Sequence, residues 1–196
     1  MALLQPVGRD HPQLQEPLQP LLDVLAELEE IELPPPSFLH VPTLVVGFVT
    51  ATDISFTEME SMTMRASSHI ARMPPFSLRV GGISAREDAL YLGVDDDFHL
   101  REVRRRAGER APRIAQALRD DPAFAPDGGD RFMPSIPFAF FTGRGDRARV
   151  IEAVEPYRET ELGDCSVTHI SVGRLLSDPQ IRYPDPDVIL EIVLRG

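Results

Sequence analysis

The chain has 196 residues, 42% of them hydrophobic, a formal net charge of −11 and one cysteine. That length suits a single domain, 1–196, with room for two lobes. The acidic balance opposes a phosphate backbone, so nucleic acid is not the expected partner; one cysteine excludes an internal disulfide and builds no zinc site alone.

Ala2 to Val7 is an apolar run that predicts a first strand. Leu14, Leu18, Leu21, Leu25 and Leu28 then recur at helical spacing, and Pro17 and Pro20 suit a first turn, so a helix is expected from Pro17 to Ile31. Pro34-Pro35-Pro36 ends it and leads into a strand over 38–49. Ser55-x-x-Glu58 spells a capping box, followed by Met59, Met62, Ala66, Ile70 and Met73 on one helical face. Phe76–Ile83 and Ala89–Val94 read as paired strands. Asp95-Asp96-Asp97 opens a helix through Leu118 with a kink at Pro112. Its arginines, Arg101, Arg104, Arg105, Arg106, Arg110 and Arg113, read as a solvated face pairing with acidic neighbours. A loop over Asp120–Asp130 precedes a strand over 132–142. Asp146 caps a further helix, Cys165–Leu175 reads as a strand, Ser177–Asp187 as a loop and Val188–Leu194 as the last strand. The order β-α-β-α-β-β, then α-β-α-β-β, predicts an α+β domain of two lobes, each a helix-flanked antiparallel sheet, around a central cleft. No run of 18 apolar residues and no charged-then-apolar leader is present, so a cytoplasmic protein without a membrane segment is expected.

Two strands stand out. Phe38-Leu39-His40-Val41-Pro42-Thr43-Leu44 and Phe132-Met133-Pro134-Ser135-Ile136-Pro137-Phe138 each place a polar residue near the strand start and a proline two positions later. Strand side chains alternate faces. The expected cleft face therefore carries His40, Pro42, Leu44 and Val46 from one strand, and Ser135, Pro137, Ala139 and Phe141 from the other. A proline inside a strand favours a bulge, and a bulge at Pro42 would bring Thr43 to the cleft; no equivalent hydroxyl follows Pro137.

This ordered set, which covers nearly the whole chain, resembles the two-histidine phosphoesterase superfamily, the RNA 2′-5′ ligase-like (LigT-like) proteins. Phe38–Phe48 resembles the first His-x-Thr strand, Pro74–Leu78 with Leu90–Val94 the mid-domain strand pair, and Arg131–Pro134 the approach to the second motif. Val167–Leu175 resembles the closing strand, and Tyr183 a tyrosine common in relatives. The resemblance implies the LigT-like fold and, in intact members, two histidines that exchange protons with a phosphodiester while two hydroxyl residues bind its oxygens. Only His40 matches. Pro42, Ser135 and Pro137 occupy the other three positions; proline offers neither hydroxyl nor N–H, and serine does not titrate near neutrality.

The expected function is therefore a divergent member whose cleft binds a largely apolar small molecule, with His40 as a lone acid–base in an isomerisation, cyclisation or similar tailoring step and no cofactor or metal. Thr168-His169-Ile170-Ser171 also spells His-x-Ser, which leaves a second reading: a 2′,3′-cyclic phosphodiesterase with His40 and His169 as catalytic pair and Thr43 and Ser171 as phosphate binders. A third is a non-catalytic binding protein. Arg144, in the turn after the Ser135 strand, is a candidate for an anionic ligand at the cleft mouth. Oligomeric state is left open.

Overall fold

The computed structural model describes residues 1–47, 54–109, 111–121, 124–125, 129–174, 183 and 187–196. Phe48, Val49, Arg110, Leu175 and most of the expected 177–187 loop lie outside the described residues. The first half holds β1 (Ala2–Pro6), α1 (Gln19–Ala26), β2 (Ile31–Glu32), β3 (His40–Val45), α2 (Phe56–Ile70), β4 (Phe76–Ala85) and β5 (Ala89–Asp95). It is followed by α3 (His99–Glu109), α4 (Pro112–Asp120), the short strands β6 (Phe124–Ala125) and β7 (Gly129–Asp130), and β8 (Ser135–Phe141). Then come α5 (Arg147–Val154), β9 (Glu161–Val167), β10 (His169–Arg174) and β11 (Asp187–Val193).

These elements build two antiparallel sheets with strand orders β11-β10-β1-β3 and β2-β8-β5-β4-β9. Each turns one face to a shared apolar core. In the first sheet that face carries Leu3, Leu44, Ile170, Val172 and Ile192; in the second, Leu78, Leu92, Ile136, Ala139 and Cys165. Met59, Met62 and Ile70 of α2 and Leu100 and Val103 of α3 belong to the same core. Burial pushes the Cys165 thiol up to about 11, so it stays protonated at neutral pH. The opposite face of the second sheet is open, with Ser77, Arg79, Glu161, Asp164 and Ser166 exposed. The α+β, two-lobed expectation is met.

Local chemistry explains both the matches and the departures. Ser55 and Glu58 form the full capping box, and α2 starts where the spacing predicts. The helix expected over 17–31 is a 3₁₀ segment, Pro12–Leu18, followed by a shorter α1, because Pro17 and Pro20 each withhold an amide donor. The expected kink at Pro112 is a break: Ala111 is extended at φ −122° and ψ 92°, as a residue before proline prefers. The strand expected over 165–175 is two strands in two different sheets. Buried positions pass from Cys165 and Val167 to Ile170 and Val172, so the alternation slips at Thr168, where the chain crosses between lobes. The 120–130 loop contains the β6–β7 pair.

The largest correction concerns Arg104. Its side chain is fully buried at 0% exposure, not solvated. Its Nε donates to Asp130 at 2.5 Å, and Nη1 donates to the Thr43 carbonyl at 2.7 Å and to Asp121 at 3.2 Å. The guanidinium also lies over the Phe132 ring at 4.5 Å. Arg104 falls in register with Leu100, Val103 and Ala107, so the core-facing stripe of α3 includes it. Arg105 and Arg106 follow the expectation and pair with Glu102 on the outer face.

Removing one partner from a buried charge group leaves the others uncompensated. Arg104→Ala is expected to lower the unfolding free energy by about 3–5 kcal/mol, whereas Arg105→Ala, a surface pair, costs less than about 1 kcal/mol. Urea titrations of both variants check this.

Candidate functional site

Both motif strands carry a bulge, and each bulge directly follows a proline. Along β1 and β3 the register runs Leu4 opposite Pro42, then Leu3 opposite Leu44, which leaves Thr43 without a partner. Along β5 and β8 it runs Tyr91 opposite Pro137, then Leu90 opposite Ala139, which leaves Phe138 without one. A proline cannot complete the ladder, so an extra residue is accommodated beside it. The bulge expected at Pro42 is present; the one after Pro137 was not expected.

The two slips change which side chains share a face. Past Thr43, Leu44 joins the core and Val45 turns outward. Past Phe138, Phe140 lies on the face of Pro137, since both oppose alternate residues of β5 (Ala89 and Tyr91). Phe141, expected in the cleft, lies on the other face: it pairs with Ile31 and sits under the Arg147 guanidinium at 4.0 Å. Phe140 takes the place that simple alternation gave to Phe141.

His40 is 4% exposed and stands at the start of β3. Its Nδ1 lies 2.5 Å from the Phe38 carbonyl oxygen. That oxygen only accepts, so Nδ1 carries the proton and Nε2 the lone pair. Nε2 has no hydrogen bond to a described residue. Burial pushes the His40 pKa below its ordinary value, and the Phe38 bond opposes this only in part. The ring is thus a neutral base at pH 7.

An aromatic cluster adjoins it through Phe38. Phe38 meets His40 edge-on at 5.2 Å, Tyr183 meets Phe38 at 5.4 Å, and Tyr183 stacks on Phe140 at 4.9 Å. Phe38 also approaches Phe140 at 6.1 Å, which joins the beginning of β3 to the end of β8. None of these partners is charged. The sequence signal for Phe140 was Pro137, which marks the slip; Tyr183 is brought in from a distant segment by tertiary structure alone.

Ser135 is half-buried, opposes Gly93 in the ladder, and makes no side-chain hydrogen bond to a described residue. Gly93 in turn opposes Gly81, whose carbonyl oxygen would stand 2.8 Å from a Cβ at Gly93, so that position excludes a side chain. A hollow of about 350 Å³ opens over these glycines. A larger one, about 850 Å³, lies between α3 and α4 and touches neither motif strand. Pro137 is half-buried beside Tyr91. Arg144 is exposed in the turn beyond β8, where its backbone N–H donates to the Thr142 hydroxyl.

The second pair of candidates lies on the same sheet as His40. Leu4 opposes both Pro42 and Ser171, and Pro6 opposes His40. Cross-strand partners share a face, so His40, Pro42, Ser171 and, two residues before it, His169 all lie on one face. His40 and His169 are two strand spacings apart, roughly 10 Å. The His169 Nε2, however, faces Asp10 at 3.5 Å and Glu191 at 3.9 Å. The hydroxyls of Thr43 and Ser171 are buried without a hydrogen-bond partner among the described residues. Among the described residues no group of three His, Cys, Asp or Glu side chains is placed to hold a metal ion, and no helix is long and apolar enough to cross a membrane.

The His40 pKa fixes the sign of a pH effect. The unfolded chain takes up a proton near 6.5 while the folded chain does not, so the stability due to neutral His40 is complete above that value and falls as pH drops towards the folded pKa. Wild type is expected to lose more stability than His40→Leu between about pH 7.5 and 5.5, measured by urea unfolding.

No protein-family model and no curated protein matches the chain. Several solved structures match it, and two of them cover its whole length. TT0787 of Thermus thermophilus superposes with a TM-score of 0.65 at 17% identity, covering 100% of this chain and 99% of that one. A crystal structure described as a phosphoesterase superposes with a TM-score of 0.64 at 12% identity, covering 100% and 97%. At such identities the likeness is one of fold, and the fold of this chain is the two-lobed LigT-like α+β fold with a phosphoesterase among its structural neighbours.

Proposed function

We propose that this chain is a divergent two-histidine-fold protein that no longer cleaves phosphodiesters and binds a largely apolar small molecule beside His40. One observation carries the reading. The only imidazole at a motif position is a neutral base packed edge-on against Phe38, which in turn meets Phe140 and Tyr183, and the other three motif positions hold Pro42, Ser135 and Pro137. A developing dianionic phosphate calls for several converging donors. An apolar ligand calls for an aromatic wall and few polar groups.

The chemistry open to such a site is proton transfer. The Nε2 lone pair of His40 removes a proton from an acidic C–H or O–H of the ligand, and the resulting imidazolium returns it to another atom. The net result is an isomerisation or a ring closure with no change in oxidation state. The Phe38 carbonyl holds the Nδ1 proton throughout and fixes the ring orientation. In this reading Ser135, Pro137 and Pro42 line the trough, and Thr43 and Ser171 supply hydroxyls.

The shared face of His40 and His169 favours a second reading, a cyclic phosphodiesterase with Ser171 as a phosphate donor. It requires the His169 ring to leave Asp10 and turn towards His40.

The two readings part in one experiment. Protein as purified is denatured and its small-molecule content identified by mass spectrometry, while 2′,3′-cyclic nucleotides are offered to wild type, His40→Ala and His169→Ala. An apolar compound whose turnover falls about 10²–10⁴-fold in His40→Ala, with binding retained, is the expected result. Hydrolysis of the cyclic nucleotide that both histidine variants abolish would overturn it in favour of the second reading.

A further inference from the structure

The groove between α3 and α4 has a volume of about 850 Å³, and no residue of either motif strand lines it. That volume is in the range of small-molecule sites. The helices meet closely at one point because position 108 lacks a side chain. A Cβ on Gly108 would stand 2.9 Å from Leu118 Cδ1 and 3.5 Å from the Ala115 Cα. His99 is a fixed part of the wall: its Nδ1 donates to the Asp96 carbonyl at 2.6 Å, and its ring stacks on Phe76 at 4.7 Å.

Phe98 lines the same groove and is 66% exposed. Its backbone is left-handed at φ 65°, and that of Asp97 at φ 47°. A bulky residue adopts this conformation only at a cost. Buried Asp96 holds the turn by accepting from the Phe98 and Leu100 N–H groups at 3.3 and 2.6 Å. The Arg101 guanidinium covers one face of the Phe98 ring at 4.7 Å, so the exposure falls on its edge and its other face.

Charge decides what such a groove accepts. Three of its four carboxylates are already paired: Glu102 and Glu109 with Arg105, and Asp130 with Arg104. Two of its arginines are not. Arg101 Nε donates to the Phe132 carbonyl at 2.7 Å and Arg119 Nη2 to Gln116 Oε1 at 2.6 Å, and neither has a carboxylate partner among the described residues. Against these two cations stands the carboxylate of Asp97.

We infer that this groove binds a small, flat organic anion, an aromatic carboxylate or sulfonate, with its ring on Phe98 and its charge on Arg101 and Arg119. An aromatic face offers a stacking surface, and a guanidinium matches a planar oxyanion with paired N–H donors. An uncharged compound would leave both arginines unanswered, and a cation would meet them with like charge. The site is separate from the His40 trough and does not depend on the reading of that trough.

Fluorescence titration of the full chain tests this. The reporter ligand is 8-anilinonaphthalene-1-sulfonate, and N-phenyl-1-naphthylamine supplies the same rings without the charge. Wild type is expected to bind one equivalent of the sulfonate saturably, and the amine about 10-fold more weakly. Arg101→Ala and Arg119→Ala are each expected to weaken the sulfonate about 3–10-fold with little effect on the amine. Ala115→Phe, which fills the groove, is expected to weaken both ligands about 10-fold or more, while Ser135→Phe in the His40 trough changes neither. Should Ala115→Phe fail to fold by circular dichroism, Arg119→Ala, at an exposed position, carries the test. Absence of saturable binding, equal affinity for sulfonate and amine, or an affinity that neither arginine variant moves overturns the inference. So does binding that is lost in Ser135→Phe and kept in a folded Ala115→Phe, which would place the ligand in the His40 trough.

Discussion

The cleft depends on a buried cation. Arg104 reaches from α3 to the carbonyl of Thr43 in the β3 bulge, and with the same guanidinium it holds Asp130, five residues before β8 begins. Both motif strands are thereby tied to one helix. The bulge at Thr43 leaves a carbonyl with no ladder partner, and such a group is costly to bury unless a donor reaches it. Arg104 supplies that donor, and Asp130, Asp121 and the Phe132 ring balance its charge. Geometry at the two ends of the cleft is thus coupled through a single side chain.

Proline decides the rest of the local geometry. In each motif strand it removes a backbone donor, and in each it is followed by a bulge. The slips redirect the remaining side chains, sending Leu44 and Ala139 to the core and bringing Phe140 across to meet Tyr183 and Phe38. Burial without a charged partner among the described residues keeps His40 neutral.

The sequence by itself determined most of the element order, the capped start of α2, the two motif strands and the place of a proline in each, because these rest on local periodicity and on what a residue type is chemically able to do. It also held signals that a simple reading passes over: Arg104 falls on the apolar stripe of α3, and the alternation slips at Thr168 where the chain changes sheets. Only the tertiary structure decided that Arg104 is a buried clasp, that Phe140 and not Phe141 lies on the face of Pro137 and meets Phe38, that Tyr183 joins them, and that His169 turns towards Asp10. Each of these is a relation between segments far apart in the chain, set by strand register and by which groups must find a partner once water is excluded. No local pattern carries that information.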